Sequence, residues 1–204
     1  MVNYQKEMDL YLEELKSKNE TKKLLLHSCC GPCSSYVLEY LCEYLDVTVL
    51  FYNPNIYPKE EYLLRKSEQI RLINIYKSQG KSVDFLDCDY DYSEFLACAV
   101  GYEKEREGGK RCEKCFELRL SFTAKKALEK NFDLFATTLT VSPHKNAPLI
   151  NEIGKKYEAE FGVFYLPSDF KKKSGYLRSI SLSKEYSLYR QNYCGCAFSK
   201  QEEK

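Results

Sequence analysis

Five short runs rich in strand-forming residues alternate along the chain with longer stretches of helical periodicity, and this alternation limits the fold more than any other feature. The runs are Lys22 to His27, Val47 to Tyr52, Val83 to Asp87, Leu134 to Leu139 and Val163 to Leu166. Helical spacing covers 3–18, Ser34 to Tyr44, Lys59 to Gln79, 93–100, Cys112 to Glu129 and Pro148 to Glu160. Strands that alternate with helices predict an α/β fold, a three-layer arrangement of a parallel sheet with helices on both faces. The 204 residues are expected to form one α/β domain over 1–204, with 168–204 as a basic, cysteine-containing C-terminal extension packed on it.

Ten cysteines need an account. The N-terminus lacks the layout of a secretory signal and no apolar run approaches a membrane span, so a cytoplasmic location is expected. A reducing compartment leaves disulfides a poor explanation. Seven of the ten fall in tight groups, Cys29/Cys30/Cys33, Cys112/Cys115 and Cys194/Cys196, whereas Cys42, Cys88 and Cys98 stand alone and read as small buried apolar residues. The first group is expected in a turn after the first strand, bent by Gly31-Pro32 and facing a helix N-terminus. Open α/β sheets place ligands there, and a positive helix end lowers a thiol pKa. An extended backbone would point Cys29 and Cys30 in opposite directions.

Four readings of the groups compete. Cys30-Gly-Pro-Cys33 matches a thiol–disulfide exchange motif but leaves four paired cysteines unused. The two CxxC pairs have zinc-knuckle spacing, but nearly eighty residues separate them. An iron–sulfur cluster takes four thiolates and tolerates distant segments, leaving three thiols for a second metal with an open position. Simple packing is a poor account of seven clustered thiols.

Charges nearly cancel, at a net +1, so no global field marks a nucleic-acid binder. The basic residues are uneven, with six cations against two acids between Asp169 and Arg190. Lys171, Lys172 and Lys173, with Arg178 and Arg190, are candidates for phosphate contact. Tyr193 is a candidate for stacking on an extruded base. Asn53 and Asn55 either end a strand or bind a polar substrate edge. His144 either acts as a general acid or caps the following helix, and His27 packs in its strand.

The motifs combine into a resemblance. His27-Ser28-Cys29-Cys30-Gly31-Pro32-Cys33, Tyr52-Asn53-Pro54-Asn55-Ile56, Arg111-Cys112-x-x-Cys115-Phe116-x-x-Arg119-Leu120, Thr137-Thr138-Leu139-x-x-Ser142-Pro143-His144-Lys145, Asp169-Phe170-Lys171-Lys172 and Leu188-Tyr189-Arg190-Gln191-x-Tyr193-Cys194-Gly195-Cys196 occur in that order. Together they resemble the cobalamin-independent epoxyqueuosine reductases, the QueH family. Asn192 departs from the Asp expected of that pattern.

The resemblance implies a two-electron deoxygenation of the epoxide of epoxyqueuosine at the wobble position of a tRNA anticodon loop, giving queuosine. It implies a [4Fe–4S] cluster beside a second, mononuclear iron, an external electron donor, and a fold related to the PP-loop ATPases. Residues 28–34 lack the paired glycines and aspartate of a nucleotide loop, so ATP use is not expected. On this reading Cys30, Cys112, Cys115 and Cys194 hold the cluster, and Cys29, Cys33 and Cys196 with Asp169 hold the second iron. Cys29, His144 and Asp169 are the catalytic candidates, and Lys171, Lys172, Arg178, Arg190, Tyr193, Asn53 and Asn55 the substrate-binding ones. The alternatives are a zinc-stabilised RNA-binding module without catalysis, or a thiol–disulfide oxidoreductase dependent on Cys30 and Cys33 alone.

Overall fold

The computed structural model describes residues 2–199; Met1 and 200–204, the ends of the expected domain, lie outside the described residues. Five parallel strands form one sheet in the order β3-β2-β1-β4-β5. They are β1 Lys23–His27, β2 Asp46–Leu50, β3 Val83–Leu86, β4 Leu134–Thr137 and β5 Phe164–Tyr165. The helices are α1 Tyr4–Ser17, α2 Gly31–Leu41, α3 Lys59–Ser78, α4 Tyr92–Ala99, α5 Lys110–Glu129, α6 Ala147–Phe161 and α7 Gly175–Glu185.

The central strand is buried on both faces, as its uninterrupted leucines require. Leu24 and Leu26 join one layer with Met8, Leu12, Val37, Leu38 and Leu72 of α1, α2 and α3. Leu25, between them, joins the other with Phe116, Leu120, Ala124 and Ile150 of α5 and α6. The expected α/β architecture with helices on both faces is what forms.

Register determines where the site lies. His27 is level with Leu50 on β2 and with Thr137 on β4, so all three strands end on one line. The chain progresses from β1 outward to β3, then returns to the other side of β1 for β4. That reversal opens a crevice beyond the carboxyl ends of β1 and β4, where ligands bind in such sheets.

Two elements differ from expectation at this edge. The helix expected from Ser34 begins at Gly31, with Cys30 as its N-cap, so Cys33 lies in the first turn of α2 rather than in the preceding bend. Pro32 causes the difference: it has no N–H to lose in a first helical turn, so Gly-Pro starts a helix here instead of making a separate turn. The strand expected to reach Leu139 stops at Thr137, whose hydroxyl accepts from Leu139 N at 3.2 Å and opens a 3-10 turn, Thr138–Val141. That turn brings Thr138 to Cys29.

His27 is fully buried at this rim. The Tyr52 carbonyl lies 3.0 Å from Nε2, so Nε2 carries the proton and Nδ1 accepts from the Thr137 hydroxyl at 2.9 Å. Burial, followed by the Arg119 charge, lowers its pKa from 6.5 to about 3. In that window the unfolded imidazole takes up a proton that the folded one refuses, so stability falls as pH drops below 6.5. For metal-free protein, urea titrations across this window should show wild type losing about 1.4 kcal/mol per pH unit more than His27→Gln does.

Candidate metal and substrate site

Cys29, Cys30 and Cys33 place their sulfurs within 4.8 Å of one another, a group able to hold a metal ion. The Cys29 and Cys30 sulfurs are 3.8 Å apart, so the neighbours converge instead of pointing oppositely. Cys30 caps a helix, and this turn, not an extended strand, directs its side chain. A buried network holds the turn: the Ser34 hydroxyl donates to the Cys30 carbonyl at 3.0 Å and to Gln69 Oε1 at 2.8 Å, and Ser28 reaches the same Gln69 oxygen at 2.6 Å. Asn53 Nδ2 donates to the Ser28 carbonyl at 2.7 Å.

The three thiols are not equivalent. The Cys30 and Cys33 thiols beside Cys29 stabilise its thiolate, aided by the Thr138 hydroxyl 3.6 Å away and the Lys145 charge, and hold its pKa well below the ordinary value. The Cys29 charge and burial then push Cys30 up to about 12 and Cys33 upward as well. A position in the first turn of α2 does not by itself make a thiolate of Cys33.

Of the other four grouped cysteines, Cys112 and Cys115 stand on α5 and Cys194 and Cys196 in the tail, close enough for the Cys194 charge to act on the other three. Cys115 and Cys196 share an apolar cluster with Phe95 and Ala99, against Cys98, Leu118 and Phe198. Burial first, and the nearby charge of Cys194, raise the pKa of Cys112, Cys115 and Cys196, with Cys115 pushed up to about 12. Gly108 N donates to Cys112 Sγ at 3.3 Å. The loop before α5 wraps the buried Arg111, whose guanidinium donates to the carbonyls of Tyr102, Glu103 and Glu105 and lies 5.0 Å from the Phe198 ring.

Two arginines of α3 hold the tail against the sheet edge. Arg65, 2% exposed, donates to the carbonyls of Cys194 at 3.1 Å and Tyr193 at 3.4 Å and pairs with Glu61 at 2.7 Å. Arg71 donates to the carbonyls of Tyr186 and Ser187, each at 3.0 Å. Gly195 has φ +104°, and a Cβ there would press on Arg65 and Ile56.

Between the two thiol groups lies a cavity of about 590 Å³ whose wall includes Cys29, Cys33, Arg119, Lys145, Tyr193 and Cys194. Lys145 Nζ donates to Cys194 Sγ at 3.6 Å. Burial works against its ammonium, but the Cys194 and Cys29 charges hold its pKa above the ordinary lysine value.

The remaining sequence candidates divide. His144, Arg190, Asn53 and Asn55 line the cavity. His144 is exposed, and Asn146, not His144, caps α6. Asn53 is engaged by Ser28 and Arg119, whereas Asn55 Oδ1 is buried without a partner among the described residues. Asp169 is not brought to the thiols: it is outside the cavity wall, and its carboxylate lies 3.0 Å from Lys171. Lys171 and Lys172 are likewise outside the wall. Arg178 is held in a two-point pair with Glu39, at 3.0 and 2.5 Å, on the contact between α7 and α2, and Lys173 pairs with Asp9 at 2.6 Å. Arg65, Arg119, Thr138 and Lys145 had no assigned role in the sequence. The last three stand inside the quoted motifs, the only signal that could have singled them out.

A family model described as epoxyqueuosine reductase QueH matches residues 24–202. Curated relatives of the same name include one from Staphylococcus epidermidis, 45% identical over 201 residues, covering 97% of this chain and 84% of the relative. One from Streptococcus pyogenes is 43% identical over 199 residues, covering 97% and 78%. One from Thermotoga maritima is 36% identical over 176 residues, covering 86% and 89%.

The unequal thiols can be read chemically. In reduced, metal-free protein, iodoacetamide at pH 7 should label Cys29 well before Cys30 or Cys33, as peptide mass mapping will show. Equal labelling of the three would contradict the charge arrangement.

Proposed function

The chain belongs to the epoxyqueuosine reductase QueH family of oxidoreductases, and on that premise we propose that it removes the epoxide oxygen of epoxyqueuosine at the wobble position of a tRNA anticodon loop, giving queuosine. The observation that supports this reading is the Cys29/Cys30/Cys33 group at the carboxyl edge of the sheet, with Cys29 and Cys33 lining one cavity together with Cys194 of the tail. In the overall reaction both C–O bonds of the epoxide break and a C=C bond forms. The oxygen leaves as water, taking up two protons and two electrons, and a one-electron carrier outside this chain supplies the electrons.

The donor set fits the implied cofactors, since a cluster of cysteine sulfurs suits iron–sulfur chemistry and not hard, oxygen-seeking cations. The grouping favours Cys112, Cys115, Cys194 and Cys196 as holders of a [4Fe–4S] cluster and Cys29, Cys30 and Cys33 as holders of the second iron. This moves Cys30 and Cys196 from the division expected of the sequence and leaves Asp169 without a ligand role. When bound, such a pair supplies single electrons and a Lewis-acidic iron beside the substrate.

The protein's own residues shape the rest. The cavity volume lies in the ordinary range for a small-molecule site and admits one extruded nucleoside. Tyr193, its ring 5.0 Å from the Arg65 guanidinium and its hydroxyl donating to the Tyr57 carbonyl at 3.2 Å, offers a fixed plane for stacking. Asn55 Oδ1 offers an unused acceptor to a polar substrate edge, and His144 stands at the exposed side as the candidate general acid. Arg190 and Lys172 are the cations left for backbone phosphates.

Anaerobically reconstituted protein given dithionite and an epoxyqueuosine stem-loop should yield a product lighter by one oxygen. Cys115→Ser should lose acid-labile sulfide, whereas Cys33→Ser should keep sulfide and lose the additional iron. Stoichiometric zinc with no sulfide would favour the RNA-binding module instead. Arg190→Ala should weaken stem-loop binding and reduce the slope of log K against log salt by about 1. Arg178→Ala should leave that slope unchanged.

A further inference from the structure

Arg119 is a buried cation whose hydrogen bonding is incomplete. Its side chain on α5 is 2% exposed. Nε donates to the Cys115 carbonyl at 3.2 Å and Nη1 to Asn53 Oδ1 at 3.4 Å, while Nη2 has no partner among the described residues. A charged N–H cut off from both water and an acceptor is destabilising. Arg119 also lines the cavity with Cys29 and Cys194, and the charges of Cys115, Cys194, Cys29 and Cys112 all act on it, which sets it between the two thiol groups. The other cations of this wall have partners: the buried Arg65 donates to the Cys194 and Tyr193 carbonyls, and the half-buried Lys145 donates to Cys194 Sγ.

We propose that Arg119 is a substrate-binding residue that donates from Nη2 to the oxygen of a strained cyclic ether, the atom the reaction removes. The proposal rests on the epoxide reading of the site. A guanidinium keeps its proton at any working pH, so Arg119 transfers none. It orients the C–O bonds by a fixed donor and favours the negative charge that gathers on oxygen as they break. Asn53 is its positioning residue, through Nη1.

The test uses oxidised, metal-loaded protein without reductant, which binds but does not turn over. Two synthetic anticodon stem-loops that differ only in the epoxide oxygen are compared by anaerobic anisotropy titration. Wild type should bind the epoxide loop about tenfold more tightly, or about 1.4 kcal/mol. Arg119→Gln and the charge-conserving Arg119→Lys should lose most of that ratio, with iron, sulfide and the reduced-state EPR spectrum unchanged. No preference in wild type, or a full preference in either folded variant, overturns the proposal. An altered EPR spectrum with an unaltered ratio also overturns it and assigns Nη2 to the metal centre. Failure of wild type to convert the epoxide loop with dithionite is a different result, which ends the reductase reading itself.

Discussion

The site depends on the burial of Arg65. A guanidinium that is 2% exposed is tolerable only when its N–H groups are matched, and here the matching groups are the carbonyls of Tyr193 and Cys194, more than a hundred residues further along. Each such charge-assisted bond contributes about 1.5–3 kcal/mol. Without them the tail has little reason to lie over the loop after β2. With them, Cys194 reaches the cavity that Cys29 and Cys33 line. Tyr57 N adds a bond to the Gly195 carbonyl at 2.9 Å, so the tie is made from both sides.

Electrostatics then decides what the cavity can hold. Thiolates gathered in a low-dielectric space repel one another, and three neighbouring thiols leave only Cys29 easily ionised. Arg119 and Lys145 offset part of that repulsion, each drawn by charges from both thiol groups. The burial of Arg119 makes sense in that company, because an unpaired guanidinium in this wall would be strongly destabilising.

The sheet was readable from the chain because strands covered on both faces must be apolar throughout, as Leu24-Leu25-Leu26 are. Errors fell where local chemistry overrides that pattern: Pro32 starting a helix, and the Thr137 hydroxyl ending a strand. The thiols were readable because clustering is rare. Their directions were not, since that of Cys30 depends on a helix cap and that of the tail on α3. Arg65, Arg119 and Lys145 receive no role from the sequence, because nothing in a linear string shows that carbonyls and sulfurs from remote segments will surround them. Arg178 and Asp169, both site candidates from the sequence, form ion pairs with Glu39 and Lys171.

Helix α2 opens on Cys30 with no side chain accepting from its first amides. Helix starts of this kind are usually closed by a serine, threonine or aspartate oxygen. Here the capping position is held by a cysteine. The positive end of α2 therefore faces the sulfurs of Cys29, Cys30 and Cys33 directly, and favours negative charge among them.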